Sequence, residues 1–223
     1  MLSIDAARFV PQSRPRLFVV AATSPGTLPN LPVYADATRS EAVLRFRAAN
    51  PDVRWGTLQT EPVPARFNQF RDVAERFPDN SDIWWDSEAT DKLVGQMSAR
   101  HRQAVESLAA RPEINFGTVY RRVRSSGCMA EVRLDGVAGC LRTPRGGSSR
   151  QFVVELGFGR IRARHMTAVE YGRLQGAGDF RIRVPFNQAL YGFGDAVAVP
   201  VVEWLGRQCR AALVAAGAEG LVA

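Results

Sequence analysis

An arginine- and glycine-rich run at residues 142–150 is the segment whose residue types most directly indicate chemistry. Gly146 and Gly147 would let backbone N–H groups approach an anion, and Ser148 and Ser149 offer short hydrogen-bond donors. Three cationic side chains accompany them: Arg142, Arg145 and Arg150. A flexible surface loop is the simpler interpretation of Gly-Gly-Ser-Ser alone. The three arginines favour phosphate contacts, which position DNA without reading its sequence.

A second polar cluster precedes the apolar run Leu17–Ala22 near the start of the chain. Gln12, Arg14 and Arg16 alternate there, and alternate residues of an extended segment point in the same direction. We therefore expect these three side chains to project together. A solvated turn ahead of a strand is the alternative interpretation when the segment is considered alone.

The positive charge of the chain is concentrated in one part of the sequence. The net charge is +7 over 223 residues, but residues 100–183 carry 16 basic and 7 acidic groups, an excess of 9. This block includes the run Arg121, Arg122 and Arg124. A localised basic block is typical of proteins that bind a polyanion, most often nucleic acid. Of the 29 basic residues, 28 are arginine. The base composition of a GC-rich genome would explain most of that preference, but it does not explain the clustering.

The composition is that of a globular protein with a real core, since 46% of the residues are hydrophobic and 23% are charged. The apolar run Leu17–Ala22 is far too short to cross a membrane. Asp5 and Arg8 lie where a signal peptide would need an apolar stretch. We therefore expect a cytoplasmic protein that does not bind a membrane.

Hydrophobic periodicity predicts both strands and helices. Residues 1–22 are predicted to form a turn and then a buried strand at Leu17–Ala22, and Trp84–Ala110 has a helical pattern. Thr167 and Glu170 have the spacing of a capping box, and a last helix is predicted from about Pro200 to Ala216. Three short strands are predicted in a loop-rich region: Thr118–Val123, Met129–Leu134 and Phe152–Leu156.

Four segments, in this order, resemble the C-terminal half of the bacterial DNA (cytosine-5)-methyltransferases. They are Arg8–Val20, which contains Gln12-Ser13-Arg14-Pro15-Arg16, then Gly139–Gln151, Arg164–Gly176 and Gln188–Pro200. The first, third and fourth resemble motifs VIII, IX and X of that family, and the second resembles the end of its target-recognition domain.

The resemblance implies an α/β fold, made of the C-terminal part of a Rossmann-like methyltransferase sheet and a small loop-rich α+β target-recognition domain. Residues 1–22 would end the sheet of the catalytic domain, and residues 23–160 would form the target-recognition domain. Residues 161–223 would carry motifs IX and X and the closing helix. Sequence preference would come from about Ala35–Tyr120 together with Arg121, Arg122 and Arg124.

The resemblance also implies roles for individual residues. Gln12, Arg14 and Arg16 would reach the flipped cytosine and nearby DNA, and Arg16 would lie near the O2 atom of the cytosine. A fixed cation there would stabilise charge that develops on the ring when C6 is attacked. Run 142–150 would contact double-stranded DNA. Trp84 and Trp85 could either fill the core or insert into DNA, and a core position is the better interpretation.

Motif IX would be structural, with Arg164, Thr167, Glu170, Arg173 and Gln175 holding the recognition domain against the catalytic domain. Ala177-Gly178 replaces the usual Phe-Pro of that motif. In motif X, a glycine-bearing turn before a helix would expose backbone N–H groups to S-adenosyl-L-methionine, at Asp195, Ala196 and Val197. Asp195 stands where the family has Asn, so it cannot donate a side-chain hydrogen bond.

The chain lacks the chemistry that this family needs. It has no Pro-Cys nucleophile, no Glu-Asn-Val motif and no glycine-rich cofactor turn after a first strand. The cysteines Cys128, Cys140 and Cys209 follow Gly, Gly and Gln, and they have no metal-ligand spacing to either histidine. We therefore expect no metal site and no methyl transfer by this chain alone.

The sequence thus predicts the recognition subunit of a split methyltransferase. A partner chain would carry the nucleophile and most of the cofactor site, Leu17–Ala22 would join its sheet, and an apolar face at Val197–Leu205 would pack on it. A truncated, catalytically dead methyltransferase that binds DNA is the alternative. A plain arginine-rich DNA- or RNA-binding domain ranks last, because no helix-turn-helix, zinc finger or aromatic RNA-binding motif supports it.

Overall fold

The computed structural model describes residues 1–22, 28–65, 68–125, 127–143 and 150–216, without the side chain of Arg124. The chain is a mixed α/β protein. Its strands are β1 (Leu2–Asp5), β2 (Pro15–Phe18), β3 (Asn115–Arg124), β4 (Gly127–Arg133), β5 (Gln151–Gly157) and β6 (Arg160–His165). Its α-helices are α1 (Glu41–Ala49), α2 (Phe70–Val73), α3 (Ser87–Gly95), α4 (Ala99–Ala109), α5 (Ala168–Leu174), α6 (Phe186–Asp195) and α7 (Val199–Ala215).

A four-stranded antiparallel sheet in the order β4-β3-β5-β6 forms the centre of the molecule. One face packs on α3 and α4 through a cluster that includes Val154, Leu93 and Val105. The opposite face packs on α2, α5 and α6 through a cluster that includes Val153 and Tyr171. Every residue of β5 is buried, because this strand is central and both of its faces are covered.

The β5–β6 hairpin extends the sheet beyond the sequence prediction. Its two-residue turn, Phe158-Gly159, has positive φ values of 52° and 75°, as a type I′ hairpin turn requires. The three strands predicted at 118–123, 129–134 and 152–156 are confirmed, but β6 was not predicted. A domain boundary at residue 160 would therefore cut the β5–β6 hairpin.

The helical pattern from Trp84 to Ala110 corresponds to two helices rather than one. The two helices are separated by a short break, and Ser98 is the N-cap of α4. Its hydroxyl accepts a hydrogen bond from the backbone N–H of His101. The carbonyl of Gln96 accepts from Ala130 N–H on β4 at 2.9 Å. The break therefore ties the helix pair to the edge of the sheet.

The first strands form a separate two-stranded antiparallel sheet, in which Leu2 lies opposite Phe18 and Asp5 lies opposite Pro15. The prediction of a buried strand at Leu17–Ala22 is wrong on two counts. The strand ends at Phe18, and Leu17 is 55% exposed. β1 is the only described strand that pairs with β2. In this two-stranded sheet, part of the hydrophobic run therefore stays exposed to solvent.

The bounds of the last helix, α7, agree closely with the sequence prediction. The surface that covers its apolar face differs, because that surface comes from this chain and not from a partner. Val201 and Trp204 are each 2% exposed, and they pack against Leu2, Ile4 and other residues of the N-terminal segment. The chain therefore covers most of the apolar face that was predicted to need a partner. Val197, by contrast, is exposed.

Helix α6 requires glycine at one position for packing. A Cβ atom on Gly194 would lie 2.5 Å from the backbone nitrogen of Thr143, closer than such atoms approach. The segment 141–143 can therefore lie directly on α6 only because residue 194 has no side chain. No helix among the described residues is both long and apolar enough to span a membrane.

Candidate nucleic-acid interface

The N-terminal polar cluster is divided between the interior and the surface. Gln12 is completely buried, donates from Nε2 to the carbonyl of Leu174 at 2.8 Å, and accepts from Leu141 N–H at 3.1 Å. Arg14 is 2% exposed. The expectation that Gln12, Arg14 and Arg16 project together is therefore wrong, and the first two bind protein backbone instead of facing a ligand.

The Arg14 guanidinium joins three parts of the chain. Nη1 donates to the carbonyl of Leu141 at 2.6 Å, and Nη2 donates to the carbonyls of Gly194 at 2.8 Å and Ala196 at 2.5 Å. Burial lowers the pKa of Arg14, and Cys140 and Asp195 partly oppose that shift. An arginine still keeps its charge under such conditions, so the carbonyls bind a cation.

Arg16 is exposed, and its guanidinium lies at the surface beside Cys140. Nη1 donates to the carbonyl of Pro15 at 2.8 Å, and Nη2 lies 3.8 Å from Cys140 Sγ. Nη1 of Arg14 lies 3.6 Å from the same sulfur atom. Cys140 thus separates the buried arginine from the exposed one, and only Arg16 can reach a ligand.

Cys140 belongs to a groove that we call the arginine groove, which runs between β3 and the segment 139–142. Pro15, Gly139 and Gln151 also line it. Its cationic side chains are Arg122, Arg133 and Arg142, whereas Arg121 borders the groove with its guanidinium on the opposite face of the sheet. Among the described residues that line this groove there is no carboxylate, so its potential favours an anion.

Several lining residues of the groove were not predicted as DNA contacts, and Tyr120 and Arg133 are the two with an aromatic or charged side chain. Arg122 lies over the Tyr120 ring at 5.2 Å and donates to its hydroxyl at 3.2 Å. Residues two apart on a strand share a face, so the alternation Tyr120-Arg121-Arg122 could have placed Tyr120 beside Arg122. Arg133 is paired with Asp135, two residues away, and is therefore less free to bind an anion.

The other predicted DNA contacts are distributed over the molecule. Arg142 is exposed in the groove, whereas the guanidinium of Arg121 lies on the opposite face of the sheet, 4.8 Å from the centroid of Phe152. Arg150 donates to Asn187 Oδ1 at 2.9 Å. The side chain of Arg124 and five further residues lie outside the described part of the chain: Arg145, Gly146, Gly147, Ser148 and Ser149.

The segment resembling motif IX is built around a fully buried ion pair. Arg164 and Glu170 have no exposed side-chain surface, and Nη2 of Arg164 lies 2.6 Å from Oε1 of Glu170. Glu170 also accepts from the backbone N–H groups of Glu75 and Thr167, both within 2.9 Å. The capping box of Thr167 and Glu170 is present as predicted. These bonds join β6, α5 and the loop at Glu75.

Two further side chains extend this network. Arg173 Nη1 donates to the carbonyl of Val73 at 3.0 Å, and Gln175 Nε2 donates to the carbonyl of Phe193 at 2.6 Å. The Gln175 carbonyl accepts from Val199 N–H at 2.8 Å. Segment 164–175 therefore connects the sheet to α2, α6 and α7 through hydrogen bonds.

The predicted cofactor turn at Asp195–Val197 is different in the structure. Gly192 and Gly194 lie inside α6, so no glycine turn precedes Asp195. Ala196 N–H donates to the Gly192 carbonyl at 3.0 Å, and the Ala196 carbonyl accepts from Arg14. The residues around Leu190 form a helix that packs against α5. The backbone N–H groups that a free turn would expose are hydrogen-bonded within this helix.

The described residues contain no group of three His, Cys, Asp or Glu side chains that could hold a metal ion. Comparisons of the chain with protein-family models, with curated proteins and with solved structures find no match. Its function must therefore be inferred from its own residues.

Proposed function

We propose that this chain is the DNA-recognition and C-terminal subunit of a split DNA (cytosine-5)-methyltransferase. The observation that carries the proposal is the convergence at one groove of residues that are far apart in the sequence. Arg16 and Arg142 flank or line the groove at Cys140, Arg122 lines it as well, and no described lining residue is a carboxylate. Arginine is the residue best suited to hold phosphate oxygens in pairs.

In this proposal, Arg122 and Arg142 contact the DNA backbone and set its register. Arg16 serves the target cytosine, because it is the only exposed cation of the N-terminal cluster. An exposed guanidinium fixed beside the groove would stabilise negative charge developing on a base delivered there. Gln12 and Arg14 act indirectly, by holding the Cys140–Leu141 segment that borders Arg16.

The segment implied for S-adenosyl-L-methionine does not fit a binding site within this chain. The N–H and the carbonyl of Ala196 are both hydrogen-bonded inside the protein, and only the side chains of Asp195 and Val197 are exposed. The cofactor site of the proposed enzyme would therefore belong to the partner chain.

The surface that we assign to the partner chain is the outer edge of β2. Leu17 and Val19 are 55% and 68% exposed, and no described strand pairs with that edge. An exposed strand edge with apolar side chains is a template for another strand. Such pairing would let β1 and β2 extend a Rossmann-like sheet in the partner.

The test is methyl transfer from labelled S-adenosyl-L-methionine to mixed-sequence DNA by three samples: this chain, the chain encoded upstream of it, and both. We expect transfer only by the mixture. Transfer by this chain alone would overturn the proposal. Silence in all three samples, together with DNA binding by this chain, would favour a catalytically dead DNA-binding remnant instead.

The variant Arg16→Ala should then abolish most of the transfer while DNA binding is largely kept. Arg210→Ala is the matched control, because it removes the same charge from an exposed position on α7, away from the groove. Equal activity of the two variants would contradict the role given to Arg16.

A further inference from the structure

A second pocket lies at the same end of the sheet as the arginine groove, but on its opposite face. Trp85, Phe152 and His165 form its aromatic wall, and Lys92, Arg121 and Arg150 surround that wall. We call it the aromatic pocket, and we propose that it binds one nucleotide unit, with its base on the aromatic side chains and its phosphate on the cations.

The aromatic wall is a packed cluster of three rings. The ring centroids of Trp85, Phe152 and His165 are mutually 5.1 to 5.2 Å apart. The guanidinium of Arg121 lies over Phe152 at 4.8 Å and over Trp85 at 5.9 Å. Trp85 and His165 are only partly buried, so these two rings can be reached from the pocket, whereas Phe152 is buried beneath them. Aromatic rings and guanidinium planes are the surfaces on which nucleobases stack.

The charge of the pocket is suited to an anion. Asp86 is the one carboxylate among its described lining residues, and it is occupied as the N-cap of α3, accepting from Ala89 N–H at 2.7 Å. Lys92 and Arg121 have no carboxylate partner in the described ranges. Arg150 donates to the amide oxygen of Asn187, which carries no charge to offset that of the guanidinium. Lys92 is the only lysine in the chain.

A nucleotide combines the two properties that this pocket offers, a flat π system and a phosphate. An inorganic anion would not use the aromatic wall, and an uncharged aromatic molecule would not use the three cations. The inference goes beyond the proposed function, because neither methyl transfer nor a partner chain is needed for it. A free nucleotide and an unpaired nucleotide in a strand share this chemistry, and the test separates them.

The binding test uses the whole chain and three ligands: adenosine monophosphate, inorganic phosphate, and a single-stranded oligonucleotide of roughly six residues. Affinity is measured by calorimetry. We expect the monophosphate to bind and phosphate alone to bind at least about 10-fold more weakly. Tighter binding of the oligonucleotide would identify a strand as the source, and equal binding would identify a free nucleotide. No binding of either nucleotide ligand would overturn the proposal, and so would phosphate binding as well as the monophosphate.

Two variants test whether the monophosphate binds in the aromatic pocket. Lys92→Gln should weaken monophosphate binding by about 3-fold or more, and Trp85→Phe by about 5-fold. Arg100→Gln is the control, because it removes an exposed cation from α4 outside the pocket. An equal loss in the Lys92 and Arg100 variants would contradict binding at this site. Since Lys92→Gln alters only an exposed side chain, it remains informative even if Trp85→Phe is unstable.

The single lysine provides an independent readout. The 2′,3′-dialdehyde of adenosine monophosphate condenses with an amine, water leaves, and borohydride reduces the resulting imine to a stable bond. We expect peptide mass mapping to find the adduct on Lys92, with excess unmodified nucleotide preventing it. Labelling only of the terminal amine would overturn the proposal. A failed methyl-transfer assay would leave this result unaffected, so the two proposals can fail separately.

Discussion

Nη2 of Arg14 donates a hydrogen bond to the carbonyl oxygen of Gly194 across 180 positions of sequence, at 2.8 Å. The same guanidinium binds the carbonyls of Ala196 and Leu141. One buried side chain thus joins the N-terminal segment, the edge of the arginine groove and the end of α6. The shape of the groove depends on this residue, although the residue itself cannot touch a ligand.

Replacing Arg14 should therefore destabilise the fold rather than only weaken binding. We expect Arg14→Ala to lower the free energy of unfolding by about 3 kcal/mol, because three carbonyls lose a charged donor. Arg14→Lys should recover little, since an ammonium cannot reproduce the fork of a guanidinium. Urea unfolding measures both variants. Arg16→Ala, at an exposed position, should change stability by less than about 0.5 kcal/mol, and a similar loss in both variants would contradict this assignment.

Two glycines of α6 offer a matched pair for testing its packing. Gly194→Ala should destabilise the protein, because the new Cβ would lie 2.5 Å from Thr143 N. Gly192→Ala places its Cβ in open space and should stabilise the helix by about 1 kcal/mol, as alanine does at a helical position. Thermal unfolding compares them. If both variants shift the melting temperature in the same direction, the close approach of residues 142–143 to α6 is wrong.

The buried pair of Arg164 and Glu170 should be costly to break. Glu170→Gln would leave the buried guanidinium without its counter-charge, and we expect a loss of about 3–5 kcal/mol in the free energy of unfolding. Arg160→Gln, which removes an exposed ion pair with Asp79, should leave the free energy of unfolding nearly unchanged. Urea titration of the two variants would show no such difference if the Arg164 environment were open to water.

The salt dependence of DNA binding tests the arginine groove. Arg122→Ala and Arg142→Ala should each weaken duplex binding for all sequences and reduce the slope of log K against log salt by about 1. Arg210→Ala should leave that slope unchanged. Fluorescence anisotropy at several salt concentrations measures it. Unchanged slopes in the groove variants would mean that phosphates bind elsewhere.

His165 should make stability depend on pH. Burial lowers the pKa of His165, and the charges of Arg150 and Arg121 lower it further. The unfolded chain therefore takes up a proton at a higher pH than the folded chain. This contribution to stability is present above the unfolded pKa of about 6.5 and is lost as the pH falls below it.

Unfolding measured from about pH 7.5 down to about pH 5.5 should show this loss in the wild type and in His101→Gln, and a smaller loss in His165→Gln. His101, on α4, is the only other histidine. Identical pH profiles of the two variants would contradict the burial of His165.

Local sequence signals predicted the elements that depend on local physics. The alternation of Thr118–Val123, the capping box of Thr167 and the proline near the start of the last helix each describe a structure that neighbouring residues determine. Strand β6 was missed because its alternate arginines resemble a solvated surface. Their carboxylate partners lie on other elements, with Glu155 on β5 beside Arg162 and Glu170 on α5 beside Arg164.

The candidate site was predicted in part for the same reason. Sequence reasoning identified Arg16, Arg122 and Arg142, but it could not separate them from Arg14, whose three carbonyl partners are between 127 and 182 residues away. Alternation along an extended segment predicts a shared direction, but it does not say where the segment leaves the interior, which is between the buried Arg14 and the exposed Arg16. Contacts between residues that are far apart in the sequence determine which arginine is exposed to solvent, and the residue type does not.

The ion pair between Arg164 and Glu170 also restricts where the chain can be divided when a chimeric protein is made from it. An exchange of segments with another protein that broke the chain at residue 160 would separate β6 from β5 and leave Glu155 without Arg162. Glu75, which donates to Glu170 and accepts from Arg164 through its backbone, is the partner of this pair that lies farthest away in the sequence. A chimera that transplants residues 75–175 as one piece would carry every partner of that buried charge with it.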